Sequence, residues 1–281
     1  MNNLVLLLDT KFLLYRSVTT HFNLTHNEIR TGAHFTYWNT VKSIAKKFKP
    51  NNTIAMFDSD KSYRRDIYPS YKVKRKSLQK DQNLIQQLIT IKDEAESLRK
   101  TLIDIGFATY LKESLEADDL FALYIRQFNN KYDKFIIITS DADMYQLLQE
   151  NKVEIYDPSK KKLKTEKWFW DTYKIHPIQW IEVKSLSGCK SDSIPGIFGV
   201  SEEAAIKHVR REKESKKIRE NYDLELVHLY RKLVTLPFPI KTSKLLFKQT
   251  SLDMDKLFDY FQSLGFKSFL EKMNEFEELF K

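Results

Sequence analysis

Residues 4–9 read Leu-Val-Leu-Leu-Leu-Asp, and an apolar run ending in aspartate recurs at 53–58 (Thr-Ile-Ala-Met-Phe-Asp) and at 135–141 (Phe-Ile-Ile-Ile-Thr-Ser-Asp). Short, continuous apolar runs are typical of strands buried on both faces, as in a parallel sheet. Helical periodicity at 12–48 and at 81–105 gives an alternation of strand and helix. We therefore expect an α/β fold with a mostly parallel central sheet and helices on both faces.

The acids at these strand ends should lie close together, because ligand crevices in parallel sheets lie outside the carboxyl ends of the strands. Each pair of like charges about 4 Å apart costs about 4 kcal/mol at an effective dielectric of about 20, so a cation is needed among them. Oxygen ligands favour Mg²⁺ or Mn²⁺ over zinc or copper. The alternative, that each acid caps a helix, explains one such residue more easily than the whole set. The acids are Asp9, Asp58, Glu116, Asp118, Asp119, Asp141 and Asp143.

The composition indicates a basic protein that acts away from membranes. The chain has 281 residues and a formal net charge of +9. A basic surface around an acidic pocket suits a polyanionic partner, although the charge by itself is equally compatible with a role in solubility. One cysteine excludes an internal disulfide framework and a Cys-rich zinc site. No stretch has 18 apolar residues, and no signal peptide precedes the first strand, so we expect a cytoplasmic location.

Two further segments point to nucleic acid. Residues 63–76 interleave tyrosine with lysine and arginine, which suits a phosphate backbone with stacked bases. A solvated surface helix is the alternative. Residues 186–205 contain Pro195-Gly-Ile-Phe-Gly199 between two helical stretches. Such a turn lets backbone amides approach a phosphate, although taken alone it fits a plain helix–helix connection better.

In order and spacing, these segments resemble the 5′-nuclease family of phage 5′-3′ exonucleases, DNA polymerase I 5′-nuclease domains and flap endonucleases. The resemblance covers nearly the whole chain. The matching motifs are the strand ending in Asp9, Phe57-Asp58, Tyr68-Pro-Ser-Tyr-Lys-Val-Lys-Arg75, Glu116-Ala-Asp-Asp119, Ser140-Asp-Ala-Asp143 and Leu186 to Ser201.

The resemblance implies a PIN-like nuclease core at 1–164, with a helical arch at about 60–100. A helical DNA-binding region at 165–281 would carry a helix-hairpin-helix at about 183–210. The implied activity is that of a structure-specific 5′-3′ exonuclease or 5′-flap endonuclease, which hydrolyses DNA with two metal ions in replication or repair. The partner would be DNA with a 5′ end, a flap or a single-strand/duplex junction, bound by a monomer. Removal of RNA primers from an RNA/DNA hybrid is an alternative.

The resemblance also assigns roles to individual residues. The first metal, Mg²⁺ or Mn²⁺, would be held by Asp9, Asp58, Glu116 and Asp118, with Asp119 nearby. The second would be served by Asp141, Asp143 and Asp192. Lys72 and Arg75 would be catalytic, and a K⁺ ion would sit at the helix-hairpin-helix. The implied DNA contacts come from Arg64, Tyr71, Lys72, Arg75, Lys190, Gly196, Gly199 and Ser201.

Two departures from the family pattern concern the second metal and the hairpin. Cys189 stands where the family has an acidic ligand, so we expect Mg²⁺ to bind more weakly there. Ser201 replaces the last glycine of the hairpin and should tolerate positive φ less well. Cys189 is either a tolerated substitution or the loss of one family activity. In the extreme case the chain is a catalytically weakened DNA-junction-binding protein.

Overall fold

The fold is built on a six-stranded sheet. The computed structural model describes residues 3–21, 23–73, 82–212, 215–240, 245–246 and 251–280. The strands of the sheet are β1 (Leu4–Asp9), β4 (Asn52–Met56), β5 (Thr109–Tyr110), β6 (Lys134–Ile138), β7 (Val153–Asp157) and β8 (Lys162–Lys164). The strand order is β5-β4-β1-β6-β7-β8, and all neighbours are parallel except the edge strand β8, which runs antiparallel to β7. The predicted mostly parallel sheet is confirmed.

Strand β1 lies between β4 and β6 and supplies side chains to both faces of the sheet. Val5 and Leu7 belong to one hydrophobic core, and Leu6 and Leu8 belong to the other. All four are fully buried. Successive residues of a strand project to opposite faces, so a strand with helices on both sides needs a continuous apolar run rather than an alternating one. This requirement explains the sequence of residues 4–9.

Helices cover both faces of the sheet, as expected. The first core lies under α6 (Ala117–Phe128), α7 (Glu166–Tyr173), α8 (Trp180–Ser187), α9 (Glu202–Val209), α10 (Lys216–Asn221) and α11 (Leu224–Val234). The second lies under α1 (Thr10–Tyr15), α3 (Gly32–Phe48), α5 (Gln82–Asp104), α12 (Met254–Ser263), α13 (Lys267–Leu270) and α14 (Met273–Phe280). Two short helices, α2 (Ser17–Thr20) and α4 (Tyr63–Ile67), lie outside these layers.

The helical expectation for residues 12–48 is wrong in its middle part. A small antiparallel hairpin, β2 (Thr25–His26) and β3 (Ile29–Arg30), separates α2 from α3. Asn27 and Glu28 form its two-residue turn with φ of 47° and 65°. Positive φ at both central residues matches the twist of a two-residue hairpin, and asparagine adopts it more readily than most residues.

The long helix predicted at 81–105 is α5, and Gly106 follows its end with φ 75°. Ile91 and Leu98 are buried in the second core. This part of α5 is therefore a layer of the core, and the arch expected at about 60–100 stays a prediction. Residues 74–81 lie outside the described part of the chain.

The region after residue 164 packs directly on the sheet. Phe169 and Trp180 join the first core, and Phe261 joins the second. Helices α8 and α9 pack together and are connected by residues 188–201. The helix-hairpin-helix expected here stays a prediction. Among the described residues, none of the helices combines the length and the apolar composition needed to cross a membrane.

Candidate active site

Asp9 is the last residue of β1 and caps the helix that follows. Its Oδ1 accepts a hydrogen bond from the Phe12 N–H at 3.0 Å, and its Oδ2 accepts one from the Thr139 hydroxyl at 2.9 Å. Burial raises the pKa of Asp9 to about 7, and the charges of Asp58 and Asp141 add to the rise. A nearby cation would therefore stabilise the ionised form of Asp9.

Asp58 follows β4 by two residues and faces the same edge of the sheet. The Ala117 N–H at the start of α6 donates to its Oδ1 at 2.9 Å, and the Lys11 Nζ lies 3.1 Å from its Oδ2. Burial acts to raise the pKa of Asp58, but the positive charges of Lys11 and Lys72 outweigh it and lower the pKa below the ordinary value. This acid is thus ionised and partly neutralised by lysines.

Helix α6 brings two more carboxylates to the same edge. Glu116 is its N-cap, where the partial positive charge of a helix N-terminus favours an anion. Asp118, in the first turn, is half-buried. Burial raises the pKa of Asp118 well above its ordinary value, and the charges of Asp141 and Asp9 raise it further. Acids from β1, from α6 and from the loop after β6 are therefore close enough to repel one another.

A short 3-10 helix, Ala142–Leu147, follows β6; Asp141 is its N-cap and Asp143 lies in its first turn. The Asp141 Oδ1 accepts from the Asp143 N–H at 2.8 Å. Burial raises the pKa of Asp143 to about 6, the Asp141 charge adds to this, and Lys184 opposes it. The Lys184 Nζ on α8 lies 3.5 Å from the Asp143 Oδ1. This lysine partly neutralises the second group of acids.

Cys189 and Asp192 face Asp143 from the loop after α8. The Cys189 Sγ lies 3.7 Å from the Asp143 Oδ2 and 3.0 Å from the Ser191 Oγ. One ligand atom from each of Asp143, Cys189 and Asp192 falls within 4.8 Å of the others. Burial raises the pKa of the Cys189 thiol to about 12, helped by the charges of Asp143 and Asp192.

Tyr71 and Lys72 connect the two groups of acids. The Tyr71 hydroxyl is 3.0 Å from the Glu116 Oε2 and 3.2 Å from the Asp192 Oδ2. The Lys72 Nζ lies 2.8 Å from the Glu116 Oε2 and 4.0 Å from the Asp192 Oδ1. The Lys72 N–H also donates to the Asp192 backbone carbonyl at 2.8 Å. Residues around 71 therefore sit between the carboxylates that the sequence assigned to separate metals.

The donor set fits divalent metal ions. Burial raises the pKa values of Asp9, Asp118 and Asp143, and the charges of neighbouring carboxylates raise them further. A divalent ion would supply the missing positive charge, and carboxylate oxygens are the ligands that hard cations prefer. The residues that would hold ions are Asp9, Asp58, Glu116, Asp118, Asp141, Asp143 and Asp192, with Cys189 beside the last two.

The roles predicted for Asp119, near a metal ion, and for Arg64, in contact with DNA, need correction. Asp119 is fully buried, and its two oxygens accept from the Arg64 guanidinium at 2.6 and 2.8 Å. They also accept from the Glu116 and Phe238 N–H groups. Arg64 itself is 3% exposed and donates to the Leu233 carbonyl. Asp119 therefore has no capacity for a metal shell, and Arg64 cannot reach DNA in this arrangement.

The other residues predicted to contact DNA differ in how exposed they are. Tyr71 is buried, so it is no stacking platform and instead orients acids. Ser201 has φ −84° and caps α9 by accepting from the Ala204 N–H, so the expected conflict with positive φ is wrong. Lys190 and Gly199 are exposed on the loop after α8, and Gly196 is half-exposed there. Arg75 lies outside the described residues.

Two lysines of the site escaped the sequence reasoning, and Tyr71 was named there only as a DNA contact. Lys11 and Lys184 pair with Asp58 and Asp143, and the Tyr71 hydroxyl bridges two acids. Lys11 follows Asp9 by two residues, and this closeness to a strand end was an available signal. Lys184 sits mid-helix in an unremarkable pattern, so nothing in the sequence distinguished it.

Comparison with known proteins decides the family. Residues 4–174 match the model of the family described as 5′-3′ exonuclease, N-terminal resolvase-like domain. This stretch is more than half of the 281 residues. The chain belongs to the 5′-3′ exonuclease family. The resemblance inferred from the sequence motifs is thereby confirmed, and with it membership of a family of nucleases.

The relatives that match this chain include a separate 5′-3′ exonuclease and a much longer DNA polymerase I. The 5′-3′ exonuclease of Buchnera aphidicola subsp. Schizaphis graminum is 28% identical over 237 residues, covering 83% of this chain and 76% of that protein. The thermostable DNA polymerase I of Thermus aquaticus is 31% identical over 207 residues, covering 72% of this chain and 23% of the polymerase. The chain therefore corresponds to most of a separate 5′-3′ exonuclease and to about a quarter of a polymerase of this type.

Solved structures share the fold. The bacteriophage T5 flap endonuclease, in a pseudo-enzyme–product complex with DNA and metal ions, has a TM-score of 0.70 and 22% identity. The match covers 98% of this chain and 99% of that one. T5 5′-exonuclease with bound zinc has a TM-score of 0.71 at 20% identity, with the same coverage. The PIN-like architecture inferred for the core is therefore the architecture of these nucleases.

Proposed function

We propose that this exonuclease-family chain hydrolyses DNA at a 5′ end, a 5′ flap or a single-strand/duplex junction by a two-metal mechanism. The observation that carries the proposal is the convergence of two groups of carboxylates at the carboxyl edge of the sheet, joined through the Tyr71 hydroxyl. Phosphodiester hydrolysis is a reaction that such an arrangement of acids serves well. The DNA bound to the T5 flap endonuclease, which shares the fold, supports the choice of substrate.

The ions would be Mg²⁺ or Mn²⁺. Asp9, Asp58, Glu116 and Asp118 would hold the first, and Asp141, Asp143 and Asp192 would serve the second. When bound, the two ions would supply a hydroxide nucleophile near neutral pH and stabilise the attacking and leaving oxygens of an in-line displacement. Cys189 replaces a carboxylate beside Asp143, which supports weaker Mg²⁺ binding at the second position.

Lys72 would act on the substrate. The Lys72 residue is half-buried, and its Nζ lies 2.8 Å from the Glu116 Oε2. A scissile phosphate that enters the site offers the ammonium group a second anionic partner, and charge developing on that phosphate is stabilised by a cation already in place. Arg75 would share this role from the arch. Tyr71 would keep Glu116 and Asp192 in position while Lys72 turns to the phosphate.

Duplex DNA would be gripped by the loop between α8 and α9, in a helix-hairpin-helix. Lys190 and Gly199 are exposed there, and Gly196 and Gly199 have φ of 68° and 72°, which lets the backbone approach a phosphate without a Cβ. Ser201 would contribute its backbone at the N-terminus of α9. The loop carbonyls would bind K⁺. These contacts would position the backbone without reading the sequence.

We also propose a domain division, an oligomeric state, a cellular location and a second substrate. The division at 164 would be functional rather than spatial, since residues on both sides share each core. A monomer is supported because all the acids come from one chain. A cytoplasmic location is supported by the single, unpaired thiol. RNA annealed to DNA would be a second substrate, which an RNA-primed duplex tests.

Cleavage of labelled 5′-flap, nicked and RNA-primed duplexes with Mg²⁺, and then with EDTA, tests the proposal. We expect flap cleavage that EDTA abolishes. Asp118→Ala should abolish cleavage and leave DNA binding intact, whereas Asp171→Ala, on the exposed face of α7 and paired with Lys167, should behave as the parent. Absence of metal-dependent cleavage from every substrate, with binding retained, would favour the junction-binding alternative that Cys189 suggests.

A further inference from the structure

The second group of acids contains a thiol in a place that suits a ligand. Cys189 follows α8 and is held by two backbone hydrogen bonds with Ile194, at 2.9 and 3.0 Å. Only 7% of the residue is exposed. Its Sγ nevertheless lies within reach of Asp143 and Ser191. The thiol is therefore fixed by the backbone and directed at polar groups.

The distances suit a small tetrahedral ion. Zn–S bonds of about 2.3 Å and Zn–O bonds of about 2.1 Å at a tetrahedral angle place sulfur and oxygen about 3.6 Å apart. The Cys189 Sγ and the Asp143 Oδ2 are 3.7 Å apart. A ligand atom of Asp192 completes a group within 4.8 Å. The Cys189 and Asp143 ligand atoms thus match the separation expected across a zinc ion, Asp192 offers a third ligand atom nearby, and a fourth position is left for water or a substrate oxygen.

The chemistry of sulfur changes which ion is preferred. A thiolate is a soft donor that binds Zn²⁺, Cd²⁺ or Co²⁺ well and Mg²⁺ poorly, whereas three carboxylates would favour Mg²⁺. Building on the proposed function, we propose that Asp143, Cys189 and Asp192 form a thiolate-containing site selective for a zinc-like divalent ion. The two metal positions of this chain would then differ in kind, with an all-oxygen site for Mg²⁺ and a mixed site for the softer ion.

Binding at this site exchanges a proton for a metal bond. The thiol S–H breaks, its proton leaves to solvent, and both electrons of the S–H bond remain on sulfur to form the metal–sulfur bond. Lys184 contacts Asp143 at 3.5 Å and also Glu202 at 3.2 Å. The lysine can therefore keep Glu202 as its partner when an ion takes Asp143.

A purely structural thiol is the competing explanation. Cys189 also belongs to a small apolar cluster with Ile194, Tyr230 and Leu233. If Cys189 served packing alone, its sulfur atom would need no polar neighbour. The 3.0 Å contact with the Ser191 Oγ and the approach to Asp143 are what a ligand requires and what packing does not.

Titration of the intact, metal-stripped protein with Cd²⁺ and Co²⁺ tests the proposal. We expect a sulfur-to-metal charge-transfer absorption that saturates at one ion per chain and that excess Mg²⁺ does not remove. Loss of even an outer partner lowers metal affinity by about 10–100-fold, so Cys189→Ser should lose the band and at least about 100-fold in affinity. Asp143→Asn and Asp192→Asn should keep the band with weaker binding. Cys189→Asp should bind Mg²⁺ better.

A second measurement uses the fact that Cys189 is the chain's single thiol. Zn²⁺ at about 100 times its dissociation constant should slow alkylation of this thiol in the parent protein about 100-fold, because only the metal-free fraction reacts, and Mg²⁺ should not. No charge-transfer band, or affinity unchanged in both aspartate variants, would overturn the site. Mg²⁺-dependent flap cleavage, assayed separately, tests the proposed function, so a failure of one is distinguishable from a failure of the other.

Discussion

Arg64 and Asp119 form a buried, bidentate ion pair, with N···O distances of 2.6 and 2.8 Å. Asp119 lies in the first turn of α6, and Arg64 lies in α4. The guanidinium also donates to the Leu233 carbonyl, and the Phe238 N–H donates to Asp119. The pair therefore holds three parts of the chain together next to the edge of the sheet where the carboxylates cluster.

Breaking this pair should destabilise the fold. Asp119→Ala leaves the Arg64 charge buried without its partner, and removal of one member of a buried pair costs about 3–5 kcal/mol. Urea unfolding should show this loss. Glu113→Ala, which removes the exposed partner of Lys61, is the control and should leave the unfolding midpoint unchanged. An equal midpoint for both variants would contradict the structural role assigned to Asp119.

Tyr71→Phe should loosen metal binding while the fold is retained. The hydroxyl bonds to Glu116 and Asp192, one acid from each group. Loss of a group that orients ligands lowers metal affinity or activity by about 10–100-fold. The Mg²⁺ concentration for half-maximal cleavage should rise accordingly. Tyr68→Phe, whose half-buried ring packs on Tyr230, is the matched control and should need no more Mg²⁺ than the parent.

The free energy of unfolding of the metal-free protein should fall as pH rises from about 5 to about 7. The pKa of Asp9 is raised to about 7 and that of Asp143 to about 6, both mainly by burial. Native protein therefore holds protons in this window that the unfolded chain has lost, and its stability decreases as they leave. Urea unfolding in EDTA at pH 5 and 7.5 measures the slope.

Two additions separate this effect from other titrations. Mg²⁺ should reduce the slope, because bound ions stabilise the ionised carboxylates. Asp9→Asn should also reduce it in EDTA, since the variant has no proton to lose at that position. A slope that is the same in the parent and in Asp9→Asn would mean that histidines or other groups produce it.

The outcomes for individual residues show what a sequence can specify. Asp9, Asp58 and Asp141 were placed at one edge because parallel strands end together, which is a property of the chain direction alone. The roles of Asp118 and Asp119 differ because a helix turns by about 100° per residue, so that one faces the site and the other the core. The motif Glu-Ala-Asp-Asp contains both residues and does not say which one faces the site. Cys189 and Asp143 meet through two loops, and no local pattern encodes that contact.

Lys72→Ala should lower cleavage but tighten metal binding. The Lys72 Nζ pairs with Glu116, so its positive charge competes with an ion for that carboxylate. Loss of a cation that stabilises developing charge costs about 10²–10³-fold in rate. Single-turnover cleavage and Mg²⁺ titration measure the two effects. Lys61→Ala, at an exposed lysine paired with Glu113, should change neither. Weaker metal binding in Lys72→Ala would contradict the competition.

Gly196→Ala should damage the loop between α8 and α9, which we propose binds DNA, more than Gly199→Ala. Both glycines have positive φ, which costs other residues about 1–2 kcal/mol. A Cβ at Gly196 would lie 2.4 Å from the Gly188 backbone nitrogen, whereas at Gly199 it would meet only the Lys217 side chain, at 3.1 Å. A flexible side chain can move aside and the backbone cannot. Gly196→Ala should therefore unfold at a lower urea concentration and bind duplex DNA more weakly, with a shallower dependence on salt as phosphate contacts are lost. Equal effects of the two substitutions would show that φ alone, and not the close packing of Gly196 on Gly188, shapes this loop.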